Sequence, residues 1–151
     1  MKQGNVIVLN GPPSDGKSAL ALAVRDRVGP SVAAISIDTF HAFMHPDTRL
    51  NWHLLSTLND ALFTTAVVLS NAGFDVIVDT VFERKEVFTA MQRILANQPY
   101  RLIAVTSPVD LLELREVARS GSVLHDATYD AIIDTHSSTV DECVDRIVAL
   151  L

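Results

Sequence analysis

Five short apolar runs are spaced along the chain: NVIVL (5–9), SVAAISI (31–37), FDVIVD (74–79), YRLIAVT (100–106) and YDAIID (129–134). Their near-continuous Val, Ile, Leu and Ala content is what a strand buried on both faces requires, whereas a half-exposed strand alternates. Between them, apolar positions recur with helical period over 17–28, 54–72, 84–97, 108–120 and 139–151. Strands and helices taking turns predict an α/β fold, a parallel sheet joined by right-handed crossovers.

Two helix starts are well marked. Ser107, Pro108 and Asp110 offer a cap, a proline at the first helical position and a carboxylate at the third, and Gly121 would end that helix. Ser138 and Asp141 repeat the serine-to-carboxylate spacing before the last helix. The stretch TFHAFMHPDTRLNWHLLS (39–56) follows neither period and gathers His41, His45, His53, Arg49 and Trp52. An irregular segment just past a strand's C-terminal end is expected to be a ligand-reading loop.

Composition narrows the class. With 151 residues, 48% hydrophobic and 20% charged, the chain suits one globular domain over 1–151. Eighteen acidic against twelve basic residues give a net charge of -6, and no basic run exceeds Arg84-Lys85, which argues against a nucleic-acid partner. No apolar run reaches membrane-span length and no cleavage signature follows Lys2, so the expectation is a cytoplasmic protein with no membrane partner. Cys143 is the single cysteine and shares a helical stripe with Val140, Val144, Ile147, Val148 and Leu151, which reads as a buried apolar position.

The sharpest chemical signal is LNGPPSDGKSALALAV (9–24), which carries the phosphate-loop pattern at Gly11, Gly16, Lys17 and Ser18. An apolar strand precedes it and an Ala- and Leu-rich helix follows, the context such a loop needs. Backbone N–H groups of the turn and of the helix start, through Ala19, would hold phosphate. Lys17 would reach the β and γ oxygens, and Ser18 would ligate Mg²⁺. Pro12 and Pro13 lack an N–H, so the amides begin at about Ser14. Asp15 would repel the anion unless its carboxylate points to solvent.

Asp38 and Asp79 directly follow ISI and VIV, which puts both at C-terminal strand ends, on the edge that carries the phosphate loop. Two tasks there suit carboxylates, holding hydrated Mg²⁺ and orienting an acceptor hydroxyl, although either residue could instead cap the next turn. Arg115 and Arg119, four apart on one helical face, could meet a transferring phosphoryl group or simply sit near a helix end. His41 and His45 have i, i+4 spacing without a third ligand, so a pocket-lining or surface role is expected.

In order along the chain, VIVLNGPPSDGKSALA, ISIDTF, VIVDTVF, LREVAR and VLHDATYDAIIDTHSSTVDECVDRI resemble the chloramphenicol phosphotransferase-like P-loop kinases. The resemblance implies a five-stranded parallel sheet in order 2-3-1-4-5 flanked by helices. It also implies ATP and Mg²⁺ as cofactors and phosphorylation of a small-molecule hydroxyl. By the same resemblance Asp38 matches the base, Lys17 the phosphate residue, and Ser18 and Asp79 the Mg²⁺ residues. Arg115 and Arg119 match lid arginines, and Thr135 and His136 lie in the loop near the adenine. A kinase of primary metabolism and a nucleotide-binding module without turnover are the alternatives.

Overall fold

Gly16 decides where the first crossover helix begins. It sits at φ 72°, in the left-handed region glycine tolerates, and turns the chain from strand β1 (Val6–Asn10) into helix α1 (Lys17–Val28). The computed structural model describes residues 2–12, 16–106 and 128–151. Gly29, at φ 103°, ends α1, and β2 (Val32–Ser36) follows.

Residues 39–56 are more regular than their sequence suggests. Ser36 caps a short helix α2 (Ile37–Ala42), accepting a hydrogen bond from Asp38 N at 3.1 Å. His45 Nδ1 accepts from Asp47 N at 3.2 Å and opens a 3₁₀ turn (Pro46–Leu50). Asn51 Oδ1 then accepts from His53 N and Leu54 N to cap the long helix α3 (Trp52–Asn71). The expected open loop is thus a chain of side-chain caps, each too local to leave a periodic trace.

The remaining described elements are β3 (Asp75–Thr80), α4 (Lys85–Ile94), β4 (Tyr100–Thr106), β5 (Ala131–Asp134) and α5 (Val140–Val148). Helix α4 stops three residues short of the apolar pattern because Gln98 N turns back to Leu95 O at 2.9 Å. The last helix is capped by Thr139 and Glu142, in a reciprocal capping box, and not by the expected Ser138 and Asp141. The helix expected over 108–120, with Ser107, Pro108, Asp110 and Gly121, lies outside the described residues.

All five strands are parallel, in the order β2-β3-β1-β4-β5. Leu9 pairs with Asp79 and Ser36 also pairs with Asp79, so the C-terminal ends of β1, β2 and β3 share one edge. Alternate residues of β1 feed two separate cores. Val6 and Val8 pack with α3 and α4 through Leu62, Phe63, Phe88 and Met91, while Ile7 and Leu9 pack with α1 and α5 through Leu20, Val24, Val144 and Ile147. Burial on both faces is the reason β1, β3 and β4 read as unbroken apolar runs, while the edge strands β2 and β5 are only partly buried.

Candidate active site

The phosphate loop is wedged against β4. A Cβ on Gly11 would stand 2.0 Å from Val105 O, so only glycine lets the chain pass there. The Lys17 ammonium folds back onto this turn, donating to Gly11 O and to Pro12 O at 2.8 Å each. Lys17 is 4% exposed and stands 3.9 Å from Asp79 Oδ1. Ser18 Oγ donates a hydrogen bond to Asp79 Oδ2. Loop lysine, loop serine and strand carboxylate therefore form one connected group.

Asp79 reaches this place from within β3, one residue before the strand ends. Asp38 is not at a strand end as its sequence context suggests; it lies in the first turn of α2, two residues beyond β2. Its carboxylate is exposed and makes no hydrogen bond or ion pair among the described residues. A cavity of about 90 Å³ nevertheless joins it to the phosphate loop: Lys17, Ser18, Asp38 and Asp79 all border it, with His41, Asn59 and Glu83.

A second cavity, of about 310 Å³, opens on the other side of the start of α1 and is bordered by Gly16, Ala19, Leu20, Thr135, His136 and Cys143. Its turn is built by Asp134 at the end of β5. Asp134 Oδ2 accepts from Ser137 Oγ at 2.6 Å, and Oδ1 accepts from His136 N at 2.8 Å and Ser137 N at 3.2 Å. The Ser137 hydroxyl first, and then the His136 amide, hold the Asp134 carboxyl below the usual range. Cys143, expected to be buried, is 1% exposed, and burial pushes its thiol up.

The sites read from sequence thus separate into two places. Lys17, Ser18, Asp38 and Asp79 meet at the smaller cavity, and Gly16, Ala19, Thr135 and His136 at the larger, with Gly11 beneath Lys17. Ser14, Asp15, Arg115 and Arg119 lie outside the described residues. His41 lines the smaller cavity, whereas His45 is exposed and serves as a cap. Among the described residues no group of His, Cys, Asp and Glu side chains is arranged to hold a metal.

Sequence reasoning missed Asn59, Glu83 and Asn10. Asn10, the last residue of β1, donates from Nδ2 to the Tyr129 hydroxyl at 2.9 Å and accepts from Phe82 N at 2.9 Å, tying the exits of β1 and β3 to the entry of β5. Burial raises the pKa of Tyr129, and the Asn10 contact opposes it. A polar residue at the end of an otherwise apolar strand was the available signal.

Residues 4–151 match the family model described as chloramphenicol phosphotransferase-like protein. The chain belongs to this family. No curated protein matches it by sequence. Among solved structures, the APS kinase of Mycobacterium tuberculosis in complex with AMPPNP and APS is 16% identical, with a TM-score of 0.78 over 99% of this chain and 98% of that one. A sugar kinase from Janibacter is 16% identical, with a TM-score of 0.66 over 97% and 94% of the two chains. The shikimate kinase of Acinetobacter baumannii, in complex with shikimate, is 13% identical, with a TM-score of 0.66 over 99% and 93%. At such identity these likenesses show the P-loop kinase fold. Together with its family, they support a nucleotide-dependent kinase. No helix among the described residues of this chloramphenicol phosphotransferase-like protein is long and apolar enough to cross a membrane.

Proposed function

We propose that this protein transfers the γ-phosphoryl group of ATP to a hydroxyl group of a small molecule. The observation that carries this reading is the cavity shared by Lys17 and Ser18 of the phosphate loop with the carboxylate of Asp38, which has no partner among the described residues. A hydroxyl seated there would have its proton directed at Asp38 and its oxygen at the phosphate position. As that oxygen bonds to phosphorus, the bond to the β–γ bridging oxygen breaks, ADP leaves and the proton passes to Asp38.

The loop supplies the electrostatic share of catalysis. Lys17, now held by Gly11 O and Pro12 O, would exchange these carbonyls for phosphate oxygens. The base and ribose would occupy the cavity of Gly16, Ala19, Thr135 and His136. Ser14 and Asp15 complete the proposed loop, and Arg115 and Arg119 are proposed to face the developing charge. Ser18 and Asp79 offer a hydroxyl and a carboxylate already in contact, hard oxygen donors that suit Mg²⁺. That ion, when bound, would partly neutralise the phosphates.

ATP consumption across a panel of hydroxylated metabolites, nucleosides and antibiotics tests the reading. Asp38→Asn is expected to lower kcat on the order of 10²-fold, and Lys17→Ala to weaken transition-state stabilisation at least as much. Saturable ATP binding with no acceptor-dependent turnover would instead leave a nucleotide-binding module.

A further inference from the structure

We infer that the acceptor is an amino alcohol or amino sugar, carrying an ammonium group beside its reactive hydroxyl and no anionic group, and that Asn59 and Glu83 select it. This rests on the hydroxyl-kinase reading and concerns the part of the cavity wall supplied by α3 and by the segment after β3.

Asn59 on α3 is 8% exposed, and its Nδ2 donates to Leu55 O at 2.9 Å. A backbone carbonyl can only accept, so this contact fixes which end of the amide is nitrogen. The other end, Oδ1, is buried and has no partner among the described residues. His41 Nδ1, in the same wall, is likewise buried without a partner. Buried polar atoms in native folds are nearly always paired, so two orphans beside one cavity call for a reason. A ligand donor would satisfy the Asn59 oxygen, which can only accept.

Charge gives the donor its class. Asp38 and Glu83 border the cavity, and neither makes an ion pair among the described residues. Lys17 is the one cation among the described residues of this wall, and in the proposed reading the ATP phosphates take its ammonium. A phosphate or carboxylate on the acceptor would therefore meet acceptors and like charge, which discriminates against it. A neutral hydroxyl would satisfy Asn59 Oδ1 but make no ion pair with Glu83, whose carboxylate is exposed at the cavity rim. An ammonium answers both.

Two size-matched triplets test this on the full chain: glucosamine, glucose and glucuronate, and aminopropanediol, glycerol and glycerate. Calorimetry on protein saturated with a non-hydrolysable ATP analogue reads binding, and ATP consumption separately reads turnover. The ammonium member of at least one triplet should bind about tenfold or more tightly than its neutral partner, with the anion weakest. Glu83→Gln should collapse that ratio towards unity. Asn59→Leu should raise KM for the ammonium member without lowering the thermal midpoint, because removing the buried orphaned oxygen offsets the lost Nδ2 contact to Leu55 O.

Preference without turnover would sustain ammonium selection by Asn59 and Glu83 but sink the hydroxyl-kinase reading, and with it the role of the bound amine as an acceptor. Turnover without preference, or preference for the anion, would overturn the inference and keep that reading. Neither binding nor turnover of any member would overturn the inference, while the hydroxyl-kinase reading stands or falls on the broader acceptor panel. If Asn59→Leu lowers the thermal midpoint and leaves KM unchanged, the amide is structural and the inference fails.

Discussion

Lys17 Nζ and Asp79 Oδ1 face each other across 3.9 Å with both side chains almost fully buried. Losing one partner of a buried pair leaves the other charge uncompensated. Lys17→Met should therefore lower stability on the order of 3 kcal/mol, and adding Asp79→Asn should restore more than half of the loss. Urea unfolding of both single variants and of the double one checks this; strict additivity would mean that the pair is not coupled.

Two glycines separate a stability effect from a site effect. A Cβ at Gly11 would lie 2.0 Å from Val105 O, and one at Gly4 would lie 1.9 Å from Phe74 O, far along the sheet from the phosphate loop. Each Gly→Ala change should cost about 2 kcal/mol or more, since a backbone carbonyl cannot step aside as a side chain can. Only Gly11→Ala should also weaken binding of a fluorescent ATP analogue once both variants are measured well below their melting points.

Capping of α5 gives a local test. Thr139→Ala should lower stability by about 1 kcal/mol, through loss of the hydrogen bond to Glu142 N. Ser138→Ala should leave the melting midpoint nearly unchanged. Equal losses at the two positions would contradict the capping box.

Alkaline pH should act through Cys143. Burial holds its thiol above the ordinary pKa of 9.0, so the native state keeps a proton that the unfolded chain gives up. Its contribution to stability is complete below pH 9.0 and declines as pH rises through that value towards the raised native one. Melting curves recorded on either side of this window should show a steeper decline for the natural chain than for Cys143→Ala. In the native state, alkylation of the thiol should be slow at neutral pH and fast after denaturation.

The central strands were legible because burial on both faces writes an unbroken apolar run, and the phosphate loop because its glycines and lysine are fixed by backbone geometry. The meeting of Lys17, Ser18 and Asp79 was readable for the same reason. The wall built by α2 and α3 was not: α2, the 3₁₀ turn and the start of α3 are specified by single capping contacts from Ser36, His45 and Asn51. Asn59 and Glu83 escaped notice because each sits amid ordinary helical or turn sequence, and only the tertiary fold brings them to Asp38. Thr139 was passed over for its neighbour Ser138, since either hydroxyl could cap and only the Glu142 carboxylate decides between them.

The sheet divides the described core into two packed clusters, α1 and α5 on one face, α3 and α4 with α2 on the other. Substitutions in one cluster meet the other chiefly through the backbone of the strands between them. A chain built this way can repack α2 and α3 while the packing of α1 against α5 is left intact. The partition lets one face of the sheet drift in sequence while the other is held.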